Sequence, residues 1–427
     1  MFDPYSIREY SFPKDFVWGS ATSGHQIEGN NKDSNRWHIE IEEHKRNPEF
    51  VKSGMACNSY NMWKEDVEIL SELKHQMFRM TIEWARIEPR EGEFQEHEVE
   101  HYLNIFRALK ERNIKICMSV IHSTVPKWFD DKGGIENAEN LPYFEKYLHY
   151  ILPKVAPYVD LWCVLNEINY TSADFKYNAI QFHARGYRVI KQYSDKPVSS
   201  AHAFIQHQPR CMSDPFDKAL SDYQDAFNNE FFFHAIRTGE LVVYGKDVLY
   251  SEELKDSCDY WAINTYCHTL VNARTAKRSP SNTTYPFEKI DMIDIPFYLN
   301  KFNPECIIHN LARLKDKPVY ITENGCCCDN DDFRIVFIAE YLCAISEAIR
   351  TGVDVKGFLY WSLLDNYEFF SYKPRFGLVD VDRENGFKRT IKPSGYFLRE
   401  IIENNGYKPE MLEKYIKNLP RAEYHLK

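Results

Sequence analysis

The amino-acid sequence predicts a (β/α)8 barrel, and three observations predict it. Eight short apolar runs recur along the 427 residues, helical patterns separate them, and two of the runs stop at a carboxylate beside an asparagine: Val164-Leu165-Asn166-Glu167 and Tyr320-Ile321-Thr322-Glu323-Asn324. In a parallel barrel all strand ends converge on one face, so two glutamates far apart in the chain can flank a single bond there.

The strand runs lie at 16–22, 76–82, 114–120, 161–166, 198–203, 258–264, 318–324 and 355–362, each apolar and bounded by polar or glycine-containing segments. Between them the spacing predicts helices over Tyr60–Lys74, where Met62, Trp63, Val67, Leu70 and Leu73 fall near helical period, and over Val99–Arg112, Tyr143–Val155 and Phe333–Arg350. A last helix, Pro393–Asn404, opens on proline and stops before Gly406. A doubly wound open sheet is the main competitor, but it would usually close sooner than eight alternations. No linker rich in Pro, Ser or Gly divides the chain, so one catalytic domain over residues 1–427 is expected. The longer segments, 29–58, 267–289 (with Ser279-Pro280-Ser281-Asn282-Thr283-Thr284) and 363–392, all follow strands, where a barrel builds the loops of its active-site face.

Composition narrows the partners. With 44% hydrophobic and 27% charged residues the chain has ample material for one large core, and its net charge of −10 disfavours nucleic acid or an anionic membrane, which attract basic patches. A neutral small molecule is the expected ligand. Oligomeric state leaves no signature in the sequence. The opening Met1-Phe2-Asp3-Pro4-Tyr5-Ser6-Ile7-Arg8 lacks a basic start followed by an apolar core, which leads to an expectation of cytoplasmic residence. Eleven cysteines give no even framework, and Cys326-Cys327-Cys328 lacks the spacers of a zinc site; reduced thiols and no metal are expected.

Paired carboxylates at strand ends do acid, base or nucleophile work, most familiarly on glycosidic bonds. An isolated glutamate is more often half of a surface ion pair; two of them, each after a strand and beside asparagine, favour chemistry.

Further motifs carry a resemblance. Phe16-Val17-Trp18-Gly19-Ser20-Ala21-Thr22 with Gln26-Ile27-Glu28-Gly29, then Ala56-Cys57-Asn58-Ser59-Tyr60, Trp63-Lys64-Glu65-Asp66-Val67, Phe78-Arg79-Met80-Thr81-Ile82, Asn166-Glu167, Asn264-Thr265-Tyr266, Thr322-Glu323-Asn324-Gly325 and Trp361-Ser362-Leu363-Leu364-Asp365-Asn366-Tyr367-Glu368 follow in the order of glycoside hydrolase family 1, the β-glucosidase type. The chain resembles that family over nearly its whole length. The resemblance implies Glu323 as nucleophile and Glu167 as general acid/base of a retaining β-glycosidase, with the carboxyls about 5 to 5.5 Å apart. It implies that Arg79 and Tyr266 contact the nucleophile and keep it anionic, so that Glu167 holds the proton. It also implies that Gln26, His122, Asn166, Asn264, Trp361, Glu368, Phe369 and Phe376 line the sugar site, with Trp361 as platform and Asn166 at the 2-hydroxyl, and that no cofactor is needed. Taken alone, His122 would be structural and Trp361 core.

Glu368 bears on substrate class, because a carboxylate at the glycone accepts hydrogen bonds from hydroxyls and repels a 6-phosphate. The phospho-glycosidase branch, the alternative reading, replaces this glutamate and adds a lysine and a tyrosine; here Tyr372-Lys373-Pro374-Arg375-Phe376-Gly377 has phenylalanine at the tyrosine position, and Lys373 and Arg375 read as solvated loop charges. A non-catalytic sugar-binding barrel is disfavoured because both carboxylates are present. Three departures stand out. Ile168 replaces the usual proline, Phe369 the tryptophan after Glu368, and Ser123 an aromatic residue beside His122; the latter two remove an indole donor and flat surface from the sugar pocket. The cysteine run and the acidic 329–332 stretch have no counterpart in this reading.

Overall fold

The computed structural model describes residues 7–169, 171–274, 287–290, 295–298 and 302–416. Eight parallel strands close into a barrel: β1 (Val17–Ala21), β2 (Met77–Thr81), β3 (Lys115–Ile121), β4 (Leu161–Asn166), β5 (Val198–Ala203), β6 (Trp261–Asn264), β7 (Val319–Asn324) and β8 (Val355–Trp361). Each pairs with its neighbours in sequence, and β8 closes on β1 through Gly357↔Val17 to Trp361↔Ala21. Every strand is buried on both faces, which is why each appears in the sequence as a continuous apolar run rather than an alternating one.

All eight predicted runs are barrel strands. The sixth is shorter than its run because Asp259 turns the chain: its carboxylate accepts from Val198 N at 2.9 Å while its own N–H donates to Val198 O, also at 2.9 Å. The predicted helices are present as Ser59–Glu72, Glu96–Glu111, Leu141–Val155, Asp331–Arg350 and Pro393–Asn404. Their apolar stripes pack on the outer face of the strands and form the main core. The barrel interior is a second, smaller cluster in which Ala21, Cys117, Cys163, Ala201 and Ala262 are small enough to leave room for a large polar group above them.

The segments expected to be loops are partly ordered. Residues 29–58 contain the helix Asn35–Arg46, capped by Ser34, whose hydroxyl accepts from Trp37 N. Residues 363–392 contain the antiparallel pair Val379–Asp382 and Lys388–Ile391. In 267–289, His268–Val271 pairs with Gln206–Pro209. The 279–284 string and the first six residues lie outside the described residues. The chain is tied near both ends by Tyr10↔Tyr407 and Ser11↔Gly406. Among the described residues no helix is long and apolar enough to cross a membrane.

Candidate active site

The carboxyl ends of the strands bring the predicted residues together. Arg79, on β2, is fully buried and lies at the centre. Its Nη1 donates to Glu323 Oε1 at 2.5 Å, its Nη2 to Asn166 Oδ1 at 2.6 Å and its Nε to Ser119 Oγ at 2.9 Å. A buried guanidinium is tolerable only when its donors are spent this way, since stripping one partner from a buried ion pair costs about 3 to 5 kcal/mol. Tyr266, just beyond β6, donates its hydroxyl to the other oxygen of Glu323 at 2.6 Å.

Asn264 spans the two acids. Its Nδ2 donates to Glu167 Oε1 at 2.9 Å and to Asn166 Oδ1 at 3.1 Å, and its Oδ1 accepts at 3.5 Å from the same Arg79 Nη1 that holds Glu323. Thr322 Oγ1 donates to Asn264 Oδ1 at 2.7 Å, which fixes the orientation of the amide. Glu167 follows β4 with φ +52°, a left-handed conformation that costs an L-residue about 1 kcal/mol or more and is found where surroundings over-determine it. Its N–H is held by Ala201 O at 2.8 Å.

Environment separates the two carboxyls. Burial, and then the charge of Glu323, push Glu167 up to about 8. Burial also raises Glu323, but Arg79 and Tyr266 act against it. The acid with a cation and a phenol on it is the one that ionises; the acid held by an amide keeps its proton.

Around this floor stand the other predicted residues. His122 follows β3, and its Nε2 lies 3.0 Å from Asn166 Nδ2 and 3.9 Å from Glu323 Oε1. Burial and Arg79 hold it well below its usual pKa, so it is a neutral imidazole. Trp361 ends β8, with its ring 5.8 Å from that of His122 and its indole N–H donating to Glu368 Oε1 at 2.9 Å. Gln26 donates to Glu368 Oε2 at 3.2 Å and to Asn366 Oδ1 at 3.1 Å. Burial pushes Glu368 up to about 7. Phe376 packs near Tyr266, ring centroids 6.4 Å apart. Gln26 Oε1 and His122 Nδ1 are buried without a protein partner among the described residues, leaving an acceptor and a ring nitrogen for a hydroxyl-bearing ligand. Glycine is required at Gly325, where a Cβ would sit 1.7 Å from Trp361 O; the close approach seats the end of β7 against the end of β8.

Phe369 stands apart from this set. It is half-buried, with φ +26°, and its ring lies under the guanidinium of Arg36 at 5.4 Å. Arg375, read from sequence as a solvated charge, is instead ion-paired with Asp365 (Nε to Oδ2, 3.0 Å) and Asp380, because the 363–392 segment folds back on itself; Lys373 is exposed. Ser119 was not singled out in the sequence, although a lone hydroxyl inside the run Cys117-Met118-Ser119-Val120 was the available signal. Among the described residues no cluster of three metal-ligating side chains occurs.

A closed parallel barrel that presents two buried carboxyls on one face, one bound by a cation and a phenol and the other by an amide, amid buried polar side chains, is the frame of a glycoside hydrolase. The chain belongs to glycosyl hydrolase family 1, whose model matches residues 8–407. It is 26% identical to β-glucosidase A of Acetivibrio thermocellus over 94% of this chain and 100% of that protein. It is 28% identical to the 6-phospho-β-glucosidase GmuD of Bacillus subtilis, over 93% and 99%. Among solved structures, the family 1 β-glucosidase of Thermotoga maritima superposes with a TM-score of 0.82 at 27% identity, covering 94% of this chain and all of that one. The β-glycosidase of Pyrococcus horikoshii gives 0.82 at 28%, covering 98% and 100%.

Proposed function

We propose that this family 1 enzyme, working as one catalytic domain, is a retaining β-glycosidase that removes a terminal, unphosphorylated β-glucosyl residue or a close epimer from a small glycoside. The observation that carries the reading is the asymmetry of the two carboxyls: Arg79 and Tyr266 on Glu323, an amide and burial on Glu167. Glu323 attacks the anomeric carbon, the bond to the aglycone oxygen breaks, and Glu167 gives that oxygen its proton. The glycosyl ester neutralises Glu323, the repulsion on Glu167 vanishes, and Glu167 now takes a proton from water as the water displaces Glu323.

Asn166 reads the 2-hydroxyl, Gln26, His122 and Glu368 the others, and Trp361 lies under the ring. The unphosphorylated glycone is supported by Glu368, which is tied to both Trp361 and Gln26, and by Arg375, whose charge Asp365 and Asp380 already take up. The glucosyl preference is supported by the β-glucosidases among the relatives, one of which, from Thermotoga maritima, is solved in complex with glucoimidazole.

Incubation with a 2-fluoro β-glucoside followed by peptide mass spectrometry should place one fluoroglucosyl group on Glu323. A label on another residue, or exclusive turnover of the 6-phosphorylated nitrophenyl glycoside over its unphosphorylated twin, overturns the assignment.

A further inference from the structure

The two departures in the sugar pocket, Ser123 and Phe369, meet at one side chain. Arg36 donates through Nε to Ser123 O at 3.2 Å and lies over the Phe369 ring at 5.4 Å. Its position is fixed by the backbone. Asn35 N donates to Val125 O at 2.9 Å, Lys127 N to Asp33 O at 2.8 Å, and Val125 N to Asn35 Oδ1 at 3.2 Å, so residues 33–36 are stitched to the segment following His122. Ser123 has φ +67° in this pairing. The guanidinium thus bridges the loops that follow β3 and β8, touching the residue after His122 on one side and the residue after Glu368 on the other.

What Arg36 lacks is an anion. It is half-buried, yet among the described residues no carboxylate oxygen lies within 4.0 Å of it, and both Nη groups are without a protein acceptor. The acids that act on it through space, Asp130 and Glu40, are engaged elsewhere: Asp130 by Asn35, Glu40 by His25 and Ser53. Its two contacts, Ser123 and Phe369, each lie one residue past a side chain of the site, His122 and Glu368, and it makes none of the hydrogen bonds that hold Glu323 and Glu167, so it stands at the rim of the site. A planar cation with its face on an aromatic ring and its paired Nη donors open is built to take an oxyanion in bidentate fashion.

We infer that Arg36 is a specificity residue of this enzyme, binding a carboxylate, sulfate or phosphate that the substrate carries beyond its glucosyl ring. The inference rests on the glucosidase reading above, and it assigns the aglycone side because Glu368 repels an anion at the glycone.

The test compares phenyl β-glucoside with its para-carboxylated analogue on wild type, Arg36→Gln and Arg36→Lys. Wild type should favour the carboxylated substrate; Arg36→Gln should lower its kcat/KM by about five- to tenfold, the scale of one partly exposed charge-assisted contact, and move the neutral one by less than about twofold. Arg36→Lys should restore part of the preference, and 0.5 M salt should shrink it, a shift a merely structural role would not give. Calorimetric binding of the same pair to a Glu323→Gln background, with and without Arg36→Gln, reads the preference even where turnover fails, so failure of the glucosidase reading is seen separately. Equal loss on both compounds, no change on either, or a selective loss on a 6-phosphoglucoside overturns the proposal.

Discussion

The ends of β4 and β7 carry the same two residue types in opposite order, Asn166-Glu167 and Glu323-Asn324, and the molecule treats them differently. Glu323 lies within its strand, with a guanidinium on one oxygen and a phenol on the other. Glu167 lies one residue past its strand, in left-handed backbone, with only an amide for company. Identical side chains are thus biased toward different protonation states by what surrounds them, and the proposed assignment of nucleophile and acid rests on that difference.

The largest effect should come from removing the charged member. Glu323→Gln should cost roughly 10⁴-fold or more in kcat, because the covalent step has no substitute. Added azide should rescue a Glu323→Ala variant to the α-glycosyl azide, whereas a Glu167→Ala variant should give the β-product; the reverse pattern of anomers would exchange the roles. Glu167→Gln should cost roughly 10²- to 10⁴-fold, least for substrates with good leaving groups such as dinitrophenyl glucosides.

The protonation difference itself is open to titration. Wild-type kcat/KM should fall on the alkaline side near pH 8, as Glu167 loses the proton it must donate. In the fluoroglucosyl adduct the charge of Glu323 is gone, so ¹³C NMR of labelled glutamate should find Glu167 titrating lower; no downward shift would mean the carboxyls do not sense each other. Tyr266→Phe removes a donor that favours the ionised form of Glu323. It should lower kcat/KM about ten- to a hundredfold, from the roughly 1.5 to 3 kcal/mol of a hydrogen bond to a charged group, and move the acid limb of the profile to higher pH. The smallest effect belongs to Ser119→Ala, which leaves Arg79 Nε without its acceptor at one remove from the chemistry; a loss of about three- to tenfold is expected, with the pH profile unmoved.

What could be read in the sequence follows from the same physics. Barrel strands are buried on both faces, so their apolar runs are unbroken and all eight were visible, and a carboxylate at the end of such a run is conspicuous. The helix Asn35–Arg46 was not visible because Glu40 is its one buried residue; it is held by the Ser34 cap and by charge pairs such as Arg46–Glu43 rather than by an apolar stripe. Arg36 and Ser119 escaped for a related reason. Both are placed by long-range contacts, Arg36 by Ser123, 87 positions away, and by the Phe369 ring, Ser119 by Arg79, 40 positions away, and no local pattern encodes such partners. The cysteine run, without meaning in the sequence, proves to be three buried side chains: Cys326 and Cys328 in the outer core and Cys327 in the barrel interior beside Trp361 and Phe376.

Arg79 also has a mechanical meaning. Rooted in β2, it grips β3 through Ser119, β4 through Asn166, β6 through Asn264 and β7 through Glu323. Five of the eight staves are therefore drawn together by a single hoop at the rim, and whatever cuts it loosens the cask along with the catalyst.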